Sequence, residues 1–106
     1  MTVDTQPAAR FSLPPDARAY RRIGPFDRTS LPKGLLHEHR LKAGTWGVLR
    51  ILYGNIRFVW DDAGHEHEAA LVGPAQSVII PPGVSHHLEI PAGDVVVEIE
   101  FLEAEA

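Results

Sequence analysis

Glycine and proline cut this chain into segments too short for anything but strands. Each occurs nine times, and they fall between short apolar runs, where turns need a positive or a fixed φ. No run between them sustains the 3.6-residue spacing of an amphipathic helix. The runs at 19–23, 35–41, 46–53, 55–60, 67–72, 77–80, 86–90 and 95–102 have strand length instead. In 35–41, Leu35, His37, His39 and Leu41 share one face, while Leu36, Glu38 and Arg40 take the other. The run 46–53 is apolar on both faces except at Arg50. Gly54-Asn55 predicts a tight hairpin into 55–60. Seven or eight short strands at this spacing predict an all-β, single-domain antiparallel sandwich or small barrel. Residues 1–17 carry Pro7, Pro14 and Pro15 and read as an extended N-terminal arm, with the β domain at 18–106.

Other classes are excluded by what the chain lacks. There is no cysteine, hence no disulfide framework, thiolate metal site or cysteine nucleophile. No apolar run approaches the ~18 residues of a membrane span, and the N-terminus has no apolar signal segment. The expectation is a cytoplasmic protein without a membrane partner. The net charge of −4 is unevenly placed. All ten basic residues lie between Arg10 and Arg57, and ten of the fourteen acidic ones follow Phe58. The basic residues are scattered among Pro, Gly and apolar positions, which argues against a nucleic-acid surface. Opposite charges meeting across paired early and late strands account for the asymmetry.

Histidine is the chemically distinctive residue. His37-Glu38-His39 places two imidazoles on one side of a strand, about 7 Å apart at Cα. Their face shares Leu35 and Leu41 and is expected to look inward. Buried neutral imidazoles without partners are unfavourable, and a metal or a hydrogen-bonded ligand removes that cost. His86 sits with Leu88 and Ile90 on an apolar face, so it too is expected inside; His87 and Glu89 point outward. His65 and His67 follow an Asp-Asp-Ala-Gly turn among acidic residues and read as a solvated hairpin tip.

These residues resemble the two motifs of the cupin superfamily. His37-x-His39 followed by Trp46-Gly47 and Gly54 corresponds to motif one, and Pro81-x-Gly83-x-x-His86 to motif two. More narrowly, Phe26-Asp27, Leu31-Pro32-x-Gly34-Leu35-Leu36, His39-Arg40-x-Lys42-x-Gly44-x-Trp46-Gly47 and Glu100-Phe101 resemble the TehB/YeaR-like cupins. That family includes small stand-alone proteins and a domain preceding the methyltransferase part of some tellurite-resistance proteins. The resemblance implies a jelly-roll barrel and a site holding a divalent transition metal such as Zn, Fe, Ni or Mn. Motif one here lacks its usual carboxylate, since Gly44, Thr45, Trp46 and Gly47 fill that region. His37, His39 and His86 are then the remaining metal ligands. Glu100 is the substitute carboxylate if its strand face lines the lumen, its charge stabilised by Arg50 or Arg57. Lys42, Trp46 and Arg50 are the candidate ligand-pocket residues. Three imidazoles with open positions suit a catalytic or ligand-binding ion rather than a structural one. The expected function is binding of, or action on, a small molecule at that ion, with a link to tellurite or oxyanion stress. The alternatives are a non-catalytic sensor or sequestering module, and a metal-free barrel whose histidines bind a carboxylate or sugar. Exposed edge strands and small-cupin habit favour a homodimer.

Overall fold

The sequence alternation builds two antiparallel sheets, seen in a computed structural model that describes residues 10–64 and 68–104. The strands are β1 (Arg18–Asp27), β2 (Thr45–Tyr53), β3 (Ile56–Trp60), β4 (Glu68–Val72), β5 (Ser77–Ile80), β6 (His86–Glu89) and β7 (Val96–Glu103). One sheet has the order β1-β7-β2-β5 and the other β4-β3-β6. Their inner faces enclose one core, built from Leu49, Ile51 and Val78, Val97 and Ile99 on the first sheet and Ile56, Phe58, Val72 and Leu88 on the second. The expected all-β architecture is present.

Three local readings come out differently. Gly54-Asn55 does not close a hairpin, because β2 and β3 belong to different sheets. Gly54 has φ +75° and lets the chain cross between the sheets; a Cβ there would strike the Asp94 carbonyl oxygen. The run 35–41 is no strand. Residues Lys33–Leu36 form a 3-10 turn, and the run touches a sheet only where His39 bridges His86. The apolar positions that mimic strand alternation are met by a turn that delivers Leu35 and Leu41 against the core. The arm is less polar in effect than in composition: Phe11 packs edge to face on Trp60, ring centres 5.5 Å apart. Arg10 lies over both rings and forms a paired hydrogen bond with Asp62 at 3.0 and 3.1 Å.

The charge asymmetry resolves into cross-strand register. Arg18 stands opposite Glu103, Arg22 opposite Glu100, Arg50 opposite Glu98 and Arg57 opposite Glu89. Among the described residues no helix is long and apolar enough to cross a membrane.

Candidate functional site

A cavity of about 60 Å³ lies between the sheets. Its wall is Leu35, Leu41, Gly47, Leu49, Ile80, Leu88, Ile99 and Phe101, together with His39 and His86. Two elements deliver the histidines. His86 opens β6 directly after the Pro81-Pro82-Gly83 turn. His39 is brought alongside by a reciprocal pair of backbone hydrogen bonds, His39 N to His86 O at 3.0 Å and His86 N to His39 O at 2.9 Å. Their rings meet edge to face, centres 4.2 Å apart.

The state of each imidazole follows from its Nδ1. His39 Nδ1 is 2.8 Å from the His37 carbonyl oxygen, and His86 Nδ1 is 2.9 Å from that of Val84. A carbonyl only accepts, so each Nδ1 carries the proton and donates it. In the neutral rings both Nε2 atoms are therefore bare lone pairs. His86 is only 2% exposed. Burial pushes its pKa down to about 4, against the opposing pull of the Val84 carbonyl, so it is neutral at pH 7. Phe58 stacks on its ring at 5.3 Å, and Trp60 lies 6.3 Å away. On the side away from the cavity, buried Ser85 donates to Glu38 Oε2 at 2.7 Å and accepts from Arg40 Nη2 at 3.2 Å. That network ties the His39 segment to the His86 segment.

Of the four expected metal ligands, the fold brings together His39 and His86. His37 is exposed after the 3-10 turn, and its contribution to the site is its carbonyl oxygen. Glu100 alternates with Ile99 and Phe101, so it faces away from the cavity. There it pairs with Arg50 at 2.9 Å and Arg22 at 3.7 Å. Arg50 does serve as its cationic partner, but on the outer face of the sheet. Trp46, half-buried opposite Leu102, shares that outer face, and Lys42 is exposed in the loop before β2. Among the described residues, no three His, Cys, Asp or Glu side chains gather closely enough to hold an ion. His65 and His67 lie outside the described residues.

His87 faces outward as expected, though not into open solvent. Its Nδ1 is 2.7 Å from Asp61 Oδ2 and its Nε2 3.1 Å from Glu89 Oε2. Partial burial works to lower its pKa, but the two carboxylates outweigh it and hold the value above the ordinary one. The residues that pattern reading passed over are Gly47, Phe58 and Ser85. Gly47 carried a signal: a glycine in the middle of an apolar strand marks a close approach or a kept space.

Fold and site together define a small two-sheet β domain with a histidine-bearing apolar cavity between its sheets. The chain belongs to the TehB-like family, whose domain model matches residues 21–99. A protein from E. coli (strain K12) has a similar structure, with a TM-score of 0.78 and 19% identity over 91% of this chain and 99% of that one. TehB from Haemophilus influenzae is similar at a TM-score of 0.76 and 21% identity over 84% of this chain. The chain spans about a third of that TehB, 32% of its length. A search of curated proteins found no significant match.

Proposed function

We propose that this is a cupin-type protein that binds a divalent transition metal at His39 and His86 and presents it to a small molecule. The observation that carries the reading is that His39 and His86 line one cavity, each with its Nδ1–H anchored on a backbone carbonyl. Imidazoles that bind metals are held in this way by a bond from the other ring nitrogen. The two rings lie close together, their centres 4.2 Å apart. An ion there would act as a Lewis acid; the chain would supply two imidazole donors and an apolar wall. His37 and Glu100 join the ligand set only if the metal-bound protein rearranges.

Direct binding of a carboxylate, sugar or oxyanion fits less well. Two bare acceptors repel an anion, so tellurite or a similar oxyanion would need the ion as intermediary. Among the described residues, the cavity wall offers no carboxylate, lysine or hydroxyl to move a proton. That favours a sensing or sequestering module over a hydrolase or isomerase. The TehB likeness supports placing that module in tellurite or oxyanion stress.

The test is elemental analysis of untagged protein, with calorimetric titration of chelator-treated samples. His39→Ala and His86→Ala are each expected to lower metal content at least tenfold, and His87→Ala less than twofold. Equal losses in all three overturn the assignment. A bound paramagnetic metal is expected to quench Trp60 emission, since that ring lies 6.3 Å from His86; Trp46→Phe isolates the signal.

A further inference from the structure

The cavity wall has two kinds of parts. Seven of its ten lining residues sit in β2, β5, β6 and β7, and the other three, Leu35, His39 and Leu41, come from the connection between β1 and β2. We propose that residues 32–43 of this connection are a lid that swings off the cavity as one unit, hinged at Pro32 and Gly44 and latched on Ser85. The inference goes beyond the metal reading and stands without it.

Three observations carry it. The first is how little of the segment is buried. Nine of residues 32–43 are exposed, and the three that are half-buried are Leu35, His39 and Leu41, the side chains that close the cavity. The flanks are fixed, with Leu31 only 7% and Thr45 6% exposed. The second is where the hydrogen bonds go. Among the described residues, every hydrogen bond that leaves this segment for a distant part of the chain ends on residues 83–86. Three are backbone bonds: the reciprocal pair of His39 and His86, and Gly83 N to Leu41 O at 2.9 Å. The others meet at the Ser85 hydroxyl, which donates to Glu38 and accepts from Arg40. Charged partners make these the strong members of the set. Both sheets keep their ladders if all these bonds break, because the segment joins a sheet only through the His39–His86 bridge.

The third observation is the pair of ends. Pro32 is extended, at φ −58° and ψ 131°, just before the 3-10 turn. Gly44 has φ +82°, and a Cβ there would meet nothing within 4 Å, so the backbone turns in open space. The Gly44 carbonyl accepts from Ala104 N at 3.3 Å, which keeps that end beside β7 while the rest moves. Hinges are a few element-terminal residues of this kind. A segment with few buried apolar contacts and one strip of attachment opens at less cost than global unfolding. Opening takes His39 and both leucines out of the wall and gives a small molecule a route to His86 that crosses neither sheet.

The experiment is native-state amide exchange on the full, metal-free chain, read by NMR. In wild type, the amides of His39, Gly83 and His86 are expected to share one protection level, at least a hundredfold below that of Leu49 and Ile99 in the central strands. Ser85→Ala is expected to speed the three lid amides at least tenfold. Glu38→Ala, at an exposed position that spares the core, is expected to speed them at least fivefold. Phe11→Ala separates lid opening from unfolding, since the contact of Phe11 with Trp60 survives in the open form. It is expected to speed Leu49 and Ile99 at least fivefold and to leave the lid amides within twofold of wild type. Lid amides as protected as Leu49 and Ile99, lid amides that follow those two in Phe11→Ala, or lid amides that ignore both latch variants overturn the proposal. No metal enters these measurements, so failure of the metal reading is seen separately, in the elemental analysis.

Discussion

His86 and His87 are neighbours in sequence and differ in almost every physical respect. One points between the sheets, stacked on Phe58 and lining the cavity. The other points away, held between Asp61 and Glu89. Burial keeps the first neutral; two carboxylates favour the charged form of the second. The strand pleat alone separates them. The contrast shows that a histidine's chemistry here is set by the face it occupies, the inner face of β6 keeping its imidazole neutral.

Acid should separate the two most strongly. In metal-free protein, His86 titrates at about 4 when folded against 6.5 when unfolded, so protons favour the unfolded chain. Its stabilising effect is complete above about pH 6.5 and is lost as pH falls toward 4. The loss is on the order of 3 kcal/mol, at ~1.4 kcal/mol per pKa unit. His87 has the opposite sign. Its folded value is raised, so its contribution is present below its unfolded value and fades as pH rises through the folded one. Denaturant titrations from pH 4 to 8 should therefore show His86→Phe flattening the acid decline and His87→Gln steepening it. Matching slopes in the two variants would remove the contrast.

A smaller effect tests how far the inner face extends. Phe11, Trp60, Phe58 and His86 form a continuous series of ring contacts from the arm to the cavity. Phe11→Ala should lower stability by about 1–2 kcal/mol and shift Trp60 emission, read by denaturation and fluorescence of the Trp46→Phe background. On the outer face, Arg57→Gln removes a half-exposed pair with Glu89. It should change stability by less than about 1 kcal/mol, and less still in 1 M salt, where exposed pairs are screened. A larger loss would mean that the outer cluster is structurally coupled to β6.

The two faces of β6 were legible because a strand has a simple period: Leu88 marks the inner side and Glu89 the outer. The same reasoning read β7, where Ile99 and Phe101 fix one face and leave Glu100 the other. It did not say which face looked into the cavity for every expected ligand. His37 was assigned by alternation over 35–41, but a 3-10 turn has another period, and two leucines at strand spacing also suit a turn folding onto a core.

Composition, Gly/Pro punctuation and alternation determined an all-β domain with early basic strands against late acidic ones, since these depend on local geometry and short-range pairing. The convergence of His39 with His86 was only hinted at, because the residues between them pass through four strands in two sheets. What tertiary structure alone decided is which histidines meet and the space around them. Nδ1 protons fixed on carbonyl oxygens, Glu100 turned out toward Arg50, and a cavity bordered by Gly47 all depend on where one sheet lies over the other, and no residue encodes that distance by itself.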